Sequence, residues 1–139
     1  MGFRRHLGVG QQRFAGIEEY ALTYINRLVA EIKKTGTPVI VHICGQLSSV
    51  SHHVAAIKGD AISTDAMVNL RGLKAEFPGI ITMGNLSTIK LEQGDPEGIA
   101  RNTELLLQHG IDILSPACGL GTATPLQNIK AFTSRVVGI

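Results

Sequence analysis

The sequence predicts an α/β protein: one leading helix followed by four strand–helix units around a parallel sheet. Three observations predict it. Short apolar runs alternate with longer segments of helical periodicity, and that alternation implies parallel strands joined by right-handed crossovers. The composition is poor in aromatics, at 4% with no Trp, and contains 16 glycines, as suits the aliphatic cores of parallel sheets. The reactive and polar residues fall at the ends of the strand-like runs, where this architecture gathers its sites along one edge. At 139 residues, 44% hydrophobic and 17% charged, the chain is expected to form one domain with a buried core.

The elements follow in order. From Gly16 the residues Ile17, Ala21, Tyr24, Ile25, Leu28, Val29 and Ile32 recur at three- and four-residue steps, which predicts the leading helix. Gly36 ends it, and "TPVIVHIC" reads as the first strand. "LSSVSHHVAAIKG" returns to helical spacing and stops at Gly59. "AISTD" is a short strand ending at Asp65, and "NLRGLKAEF" a helix closed by Pro78. "GIITMGN" is the third strand. "DPEGIARNTELLLQHG" is a helix with Asp95 as N-cap, Pro96 at the first position and Gly110 at its end. "IDILSPAC" is the fourth strand, and "TPLQNIKAFTSRVV" the closing helix, with Thr124 as its expected N-cap. Residues 1–15 are expected as a flexible tail, leaving 16–139 as the folded unit.

Charge and length exclude several classes. A net charge of +2, with no basic stripe interleaved with aromatics, argues against nucleic acid. The apolar runs fall far short of the roughly 18 residues a membrane helix needs. "MGFRRHLGVG" lacks the apolar stretch of a secretory signal, and "MGFRRH" lacks the Ser or Thr at position six that myristoylation favours. Two cysteines, Cys44 and Cys118, do not make a disulfide scaffold. The expectation is a soluble, cytoplasmic protein whose thiols stay reduced.

Those thiols frame the functional question. In "VIVHICG", His42 and Cys44 interrupt an apolar strand. Two residues apart on a strand, they point to the same face. The carboxyl ends of the other strands bring Asp65, Asn85 and Cys118 to the same rim. One nitrogen and two sulfurs suit zinc, and three protein ligands leave the open fourth position of a catalytic rather than a structural zinc. Competing readings are inert buried cysteines, a hydrogen-bonded core histidine, and a cysteine nucleophile with histidine as base. Asp65 and Asn85 also suit capping or turn roles. His52 and His53 fall within a helix, and His109 beside a helix C-terminus, where a cation is favoured, so they are weaker candidates.

The stretches "HICG" at 42–45, "GDAISTDAMVNL" at 59–70, "MGNLS" at 83–87 and "GIDILSPACGLGTATPLQNIKA" at 110–131 resemble the carboxyl-terminal half of the uroporphyrinogen decarboxylase superfamily. Within it they resemble the zinc-dependent corrinoid methyltransferases of the methylcobamide:coenzyme M type. The resemblance covers about residues 16–137. It implies a His-x-Cys…Cys zinc motif at His42, Cys44 and Cys118. It also implies a methylcobamide donor carried on a partner corrinoid protein, and a small thiol acceptor that loses its proton on zinc. Asp65 is then a nearby acid, a partner of a ligand or the resting occupant of the fourth position, and Asn85 shapes the pocket. The loop "SPACGLGTATP" leads to a helix N-terminus suited to an anionic substrate tail. The sequence departs from the family at Ala117, where Gly is usual, and at Thr88, where Pro is common. The decarboxylase branch itself does not use the zinc motif, which argues against a porphyrinogen decarboxylase.

The resemblance implies that the four units are half of a TIM-type (β/α)8 barrel, preceded by one helix. Such a half leaves one sheet face and two strand edges uncovered. The chain is then a fragment of a longer enzyme, one of two pairing halves, or a self-associating half-barrel. A homodimer is the commonest symmetric solution. A truncated zinc-binding half-barrel or assembly module without turnover is the non-enzymatic alternative.

Overall fold

The computed structural model describes residues 18–47 and 51–136, so the expected tail and the first residues of the leading helix lie outside the described residues. A π-helical turn, Glu18–Leu22, leads into α1, Thr23–Lys33. Then come β1 (Ile40–Ile43), α2 (Ser51–Val54), β2 (Ala61–Thr64), α3 (Leu70–Glu76), β3 (Thr82–Leu86), α4 (Thr88–Gln93), α5 (Pro96–Gln108), β4 (Ile113–Pro116) and α6 (Leu126–Thr133). The strands form one parallel sheet in the order β1-β2-β3-β4. A helix followed by four parallel β/α units is the architecture expected, and it forms part of a (β/α)8 barrel. No helix of the described residues is long and apolar enough to cross a membrane.

Alternation along the strands splits the sheet into two unlike faces. On β1, Val41 and Ile43 point to the helix side and join a core of Leu47, Val54, Ile62, Leu70 and Leu73. A second core, Leu86, Leu91, Ile99 and Phe132, lies under α4, α5 and α6, with Leu114 against it. Among the described residues, no helix lies over the opposite face. Ile40, Ile81 and Ile113 stand 47%, 46% and 37% exposed, which is the uncovered face a half-barrel should show.

Local chemistry sets most boundaries. Asp95 caps α5, its carboxylate accepting the Gly98 N–H at 2.7 Å, with Pro96 at the first helical position. Asn69 caps α3 in the same way through Gly72 N. Asp112 ties β4 to β3: its carboxylate accepts from Thr82 N at 2.8 Å and Thr82 Oγ1 at 2.9 Å, and it pairs with Lys74.

Two expectations need correction, and one element was not foreseen. The helix expected over 47–59 is a single described turn, because Asn26 of α1 intercepts the chain beyond it. Asn26 Nδ2 donates to Ala56 O and its Oδ1 accepts from Lys58 N, both at 2.9 Å, so the backbone there bonds to a side chain instead of continuing as helix. The closing helix is capped not by Thr124 but by Pro125, whose carbonyl accepts from Asn128 N and Ile129 N. Among the described residues, the buried Thr124 hydroxyl has no hydrogen-bond partner. Finally, α4 is a helix that periodicity did not announce. Ser87 caps it through Lys90 N, and Thr88, where the resembled family has Pro, is its first residue, the helical position where Pro is favoured.

Candidate metal centre

Two segments build the centre, the end of β1 and the loop after β4. Alternation on β1 sends His42 and Cys44 to the open face, while Val41 and Ile43 hold the strand in the core. His42 Nε2 lies 3.1 Å from Cys44 Sγ. Cys118 comes from the loop after β4, the far edge of the sheet. In a flat sheet, strands three places apart are separated by about 14 Å. Yet one ligand atom each of His42, Cys44 and Cys118 lies within 4.8 Å of the others. Sheet curvature and the reach of the β4–α6 loop bring the two edges together.

The donor set fits zinc. Donor atoms around one tetrahedral zinc lie about 3.3–3.8 Å apart for bonds of about 2.0–2.3 Å, so the cluster needs only small side-chain adjustments. Both cysteines are free and exposed, so the centre is reachable from the open side. A cavity of about 320 Å³ lies before it, lined by residues including Ile40, Ser63, Met83 and Ser115.

Without metal, the Cys44 thiol is held above its ordinary pKa. Atoms crowding its sulfur desolvate it even though the residue is exposed; the hydrogen bond with Cys118 and the charges of Cys118 and Asp65 act the same way. A coordinated dication reverses this balance, since a thiol bound to one is deprotonated outright.

The other two rim residues act on the backbone. Asp65 Oδ2 accepts from Gly45 N at 3.2 Å, fixing the corner that follows Cys44. Gly45 sits there at φ 88°, a conformation that favours glycine. Asn85, 6% exposed, donates through Nδ2 to Asp65 O and Val68 O, both at 2.8 Å. His52 and His53 lie in α2 and His109 caps α5; none belongs to the cluster.

One participant escaped the sequence reading. Ser63, opposite His42 in the β1–β2 register, places its Oγ 2.9 Å from His42 Nδ1. Only the register reveals it; "AIST" alone gives no sign that the serine meets the histidine.

Part of a β/α barrel with a His–Cys–Cys cluster at its carboxyl rim is a recognisable class: a barrel-enzyme scaffold bearing a candidate metal site. The chain belongs to the uroporphyrinogen decarboxylase (URO-D) family, whose profile matches residues 13–138. Its similarity extends to the methylcobamide:coenzyme M methyltransferase branch over most of its length. It is 30% identical over 114 residues to the methylcobamide:CoM methyltransferase MtbA of Methanosarcina acetivorans, covering 81% of this chain and 34% of that protein. It is 26% identical over 131 residues to the uroporphyrinogen decarboxylase of Anaeromyxobacter dehalogenans, covering 92% of this chain and 38% of the relative. In fold it superposes on a methyltransferase from Methanosarcina mazei with a TM-score of 0.78 at 22% identity, over 86% of this chain and 36% of that one. The chain thus spans about a third of the length of the relatives it matches.

Proposed function

We propose that the chain is the zinc-binding, carboxyl-terminal part of a methyltransferase that moves a methyl group from a methyl-corrinoid protein to a small thiol such as coenzyme M. The observation that carries this reading is the convergence of His42, Cys44 and Cys118 from opposite sheet edges to within 4.8 Å. The names of the methylcobamide:CoM relatives supply the substrate classes. The family's decarboxylase branch, also matched, does not account for the cluster.

His42 Nε2 and the two thiolates would hold the metal, the cysteines losing their protons on binding. Bound there, zinc supplies a Lewis acid that lowers the pKa of an incoming thiol. The cavity before Cys118 gives that thiol its approach, and Ile40 and Met83 line its way in. Asp65 holds the Cys44–Gly45 corner and adds negative charge beside Cys44. Asn85 fixes the loop that carries Asp65. Thiols that must stay reduced suit the cytoplasm.

The open face favours pairing. β1 and β4 are sheet edges, the isoleucines on the open face are half exposed, and Tyr20, Tyr24, Leu28 and Ile32 form an exposed stripe along one side of the leading helix. We infer that an amino-terminal half-barrel or a second copy covers these surfaces, and that Asp65, Asn85 and the cluster work at full rate only then, because substrate placement and water exclusion need both halves. The same open face supports a second reading, a zinc-binding half-barrel that serves assembly without turnover.

Demethylation of methylcobalamin separates the two. The zinc-loaded chain should catalyse it slowly, with dependence on both zinc and added thiol, and the Cys44→Ala variant should not. A rate unchanged by Cys44→Ala would overturn the methyltransferase reading.

A further inference from the structure

A neutral imidazole carries one N–H, and which nitrogen bears it decides which one can bind a metal. In this fold the two nitrogens of His42 face different partners. Nε2 is 3.1 Å from Cys44 Sγ, inside the cluster. Nδ1 is 2.9 Å from Ser63 Oγ, on the neighbouring strand. Ser63 is 5% exposed, and among the described residues its hydroxyl makes no other hydrogen bond. The parallel register fixes this contact, because His42 and Ser63 are paired residues whose side chains share one face.

We propose that Ser63 is the positioning residue of the metal site: its hydroxyl accepts the His42 Nδ1–H and so holds the ring in the tautomer and rotation that leave the Nε2 lone pair for zinc. The inference rests on the zinc reading above and goes beyond it by naming the partner that makes His42 a ligand. The opposite arrangement, Ser63 donating to Nδ1, would put the proton on Nε2, where it would point at Cys44 Sγ and block coordination. A hydroxyl also suits the charge of the set. Two thiolates already balance a dication, and a carboxylate behind His42 would add a third negative charge and make the bound metal a weaker acid. Partners of this kind usually change metal affinity by about 10- to 100-fold when removed.

Two measurements on the full chain test this, using Ser63→Ala and, as the conservative variant, Ser63→Thr. Ser63 lines the cavity before the cluster, and threonine keeps a hydroxyl at the same strand position. In the metal-free protein at about pH 8, above the ordinary imidazole range, two-bond proton–nitrogen correlations on 15N-histidine report the tautomer directly. The proton should sit on His42 Nδ1 in the wild type and in Ser63→Thr, and shift toward Nε2 in Ser63→Ala. Cobalt(II), a spectroscopic substitute for zinc, should bind about 10- to 100-fold more weakly to Ser63→Ala, with its thiolate charge-transfer band retained, and within about threefold of wild type to Ser63→Thr. A wild-type Nε2–H tautomer, or cobalt affinity and spectrum unchanged in Ser63→Ala, would overturn the assignment. If the wild type takes up no cobalt at all, the zinc reading fails, and the tautomer comparison still decides what Ser63 does to His42.

Discussion

Replacing Asn85 tests how the rim is held. Its amide lies in a buried position, 6% exposed, and donates to the carbonyls of Asp65 and Val68 at 2.8 Å each. Asn85→Ala removes both donors and leaves two carbonyls to find water. Each lost hydrogen bond costs about 1 kcal/mol net, and an unsatisfied buried carbonyl adds about 1–3 kcal/mol. Asp65 and Val68 are half-buried, so water can reach the freed carbonyls and the two lost bonds dominate the cost: about 2–3 kcal/mol in all. With a urea slope of about 1.5 kcal/mol/M, the unfolding midpoint should fall by about 1.3–2 M. Asn85→Asp should be worse, because it turns an acceptor toward two acceptors. The effect should also reach the metal site, since the loosened loop carries Asp65, which holds Gly45. Urea unfolding followed by circular dichroism, with zinc titration of each variant, reads both consequences. A change below about 0.5 kcal/mol in Asn85→Ala, or equal tolerance of Asp, would refute the reasoning.

Three further outcomes follow from the same geometry. Gly45→Ala should lower stability by about 1–2 kcal/mol through backbone strain alone, because φ is 88° and an added Cβ meets nothing within 4 Å; zinc affinity, measured by competition with a chelator, should fall with it as Cys44 shifts. Burial works against ionisation of Asp112, but the ion pair with Lys74 and the bonds from Thr82 outweigh it and hold its carboxyl below the ordinary value. Its contribution, about 1 kcal/mol once screening of a partly exposed pair is allowed for, is therefore full above about pH 4 and lost as pH falls through the lowered native value; acid titration of stability should show this loss in the wild type and not in Asp112→Asn. Light scattering at micromolar concentration should show a dimer or larger species, or a complex once an amino-terminal half is supplied, and a well-dispersed monomer that ignores such a half would contradict the pairing argument.

What the sequence made legible were features decided locally. Asp95, Pro96 and Gly110 mark α5 because capping is short-range chemistry, and they fall where the structure places them. The period-two spacing of His42 and Cys44, with the rule that parallel strands end on one rim, was enough to group them with Cys118. Features decided between elements were not legible. The helix expected through Ala56 fails because Asn26, thirty residues earlier in the chain, takes its backbone groups. Ser63 is invisible until the β1–β2 register pairs it with His42. Asp65 and Asn85 could be placed on the rim from sequence, but not their partners, Gly45 N and the carbonyls of Asp65 and Val68. The short α4 lacks a periodic apolar face, and only its Ser87 cap could have announced it.

The central claim is that His42, Cys44 and Cys118 share one metal ion. X-ray absorption on the zinc-loaded chain, with metal content measured in parallel, tests it most directly. The account predicts about one zinc per chain with two sulfur neighbours near 2.3 Å and a nitrogen near 2.0–2.1 Å, one sulfur being lost in Cys44→Ala and one in Cys118→Ala. Zinc surrounded only by oxygen and nitrogen, or bound equally well by both variants, would contradict it.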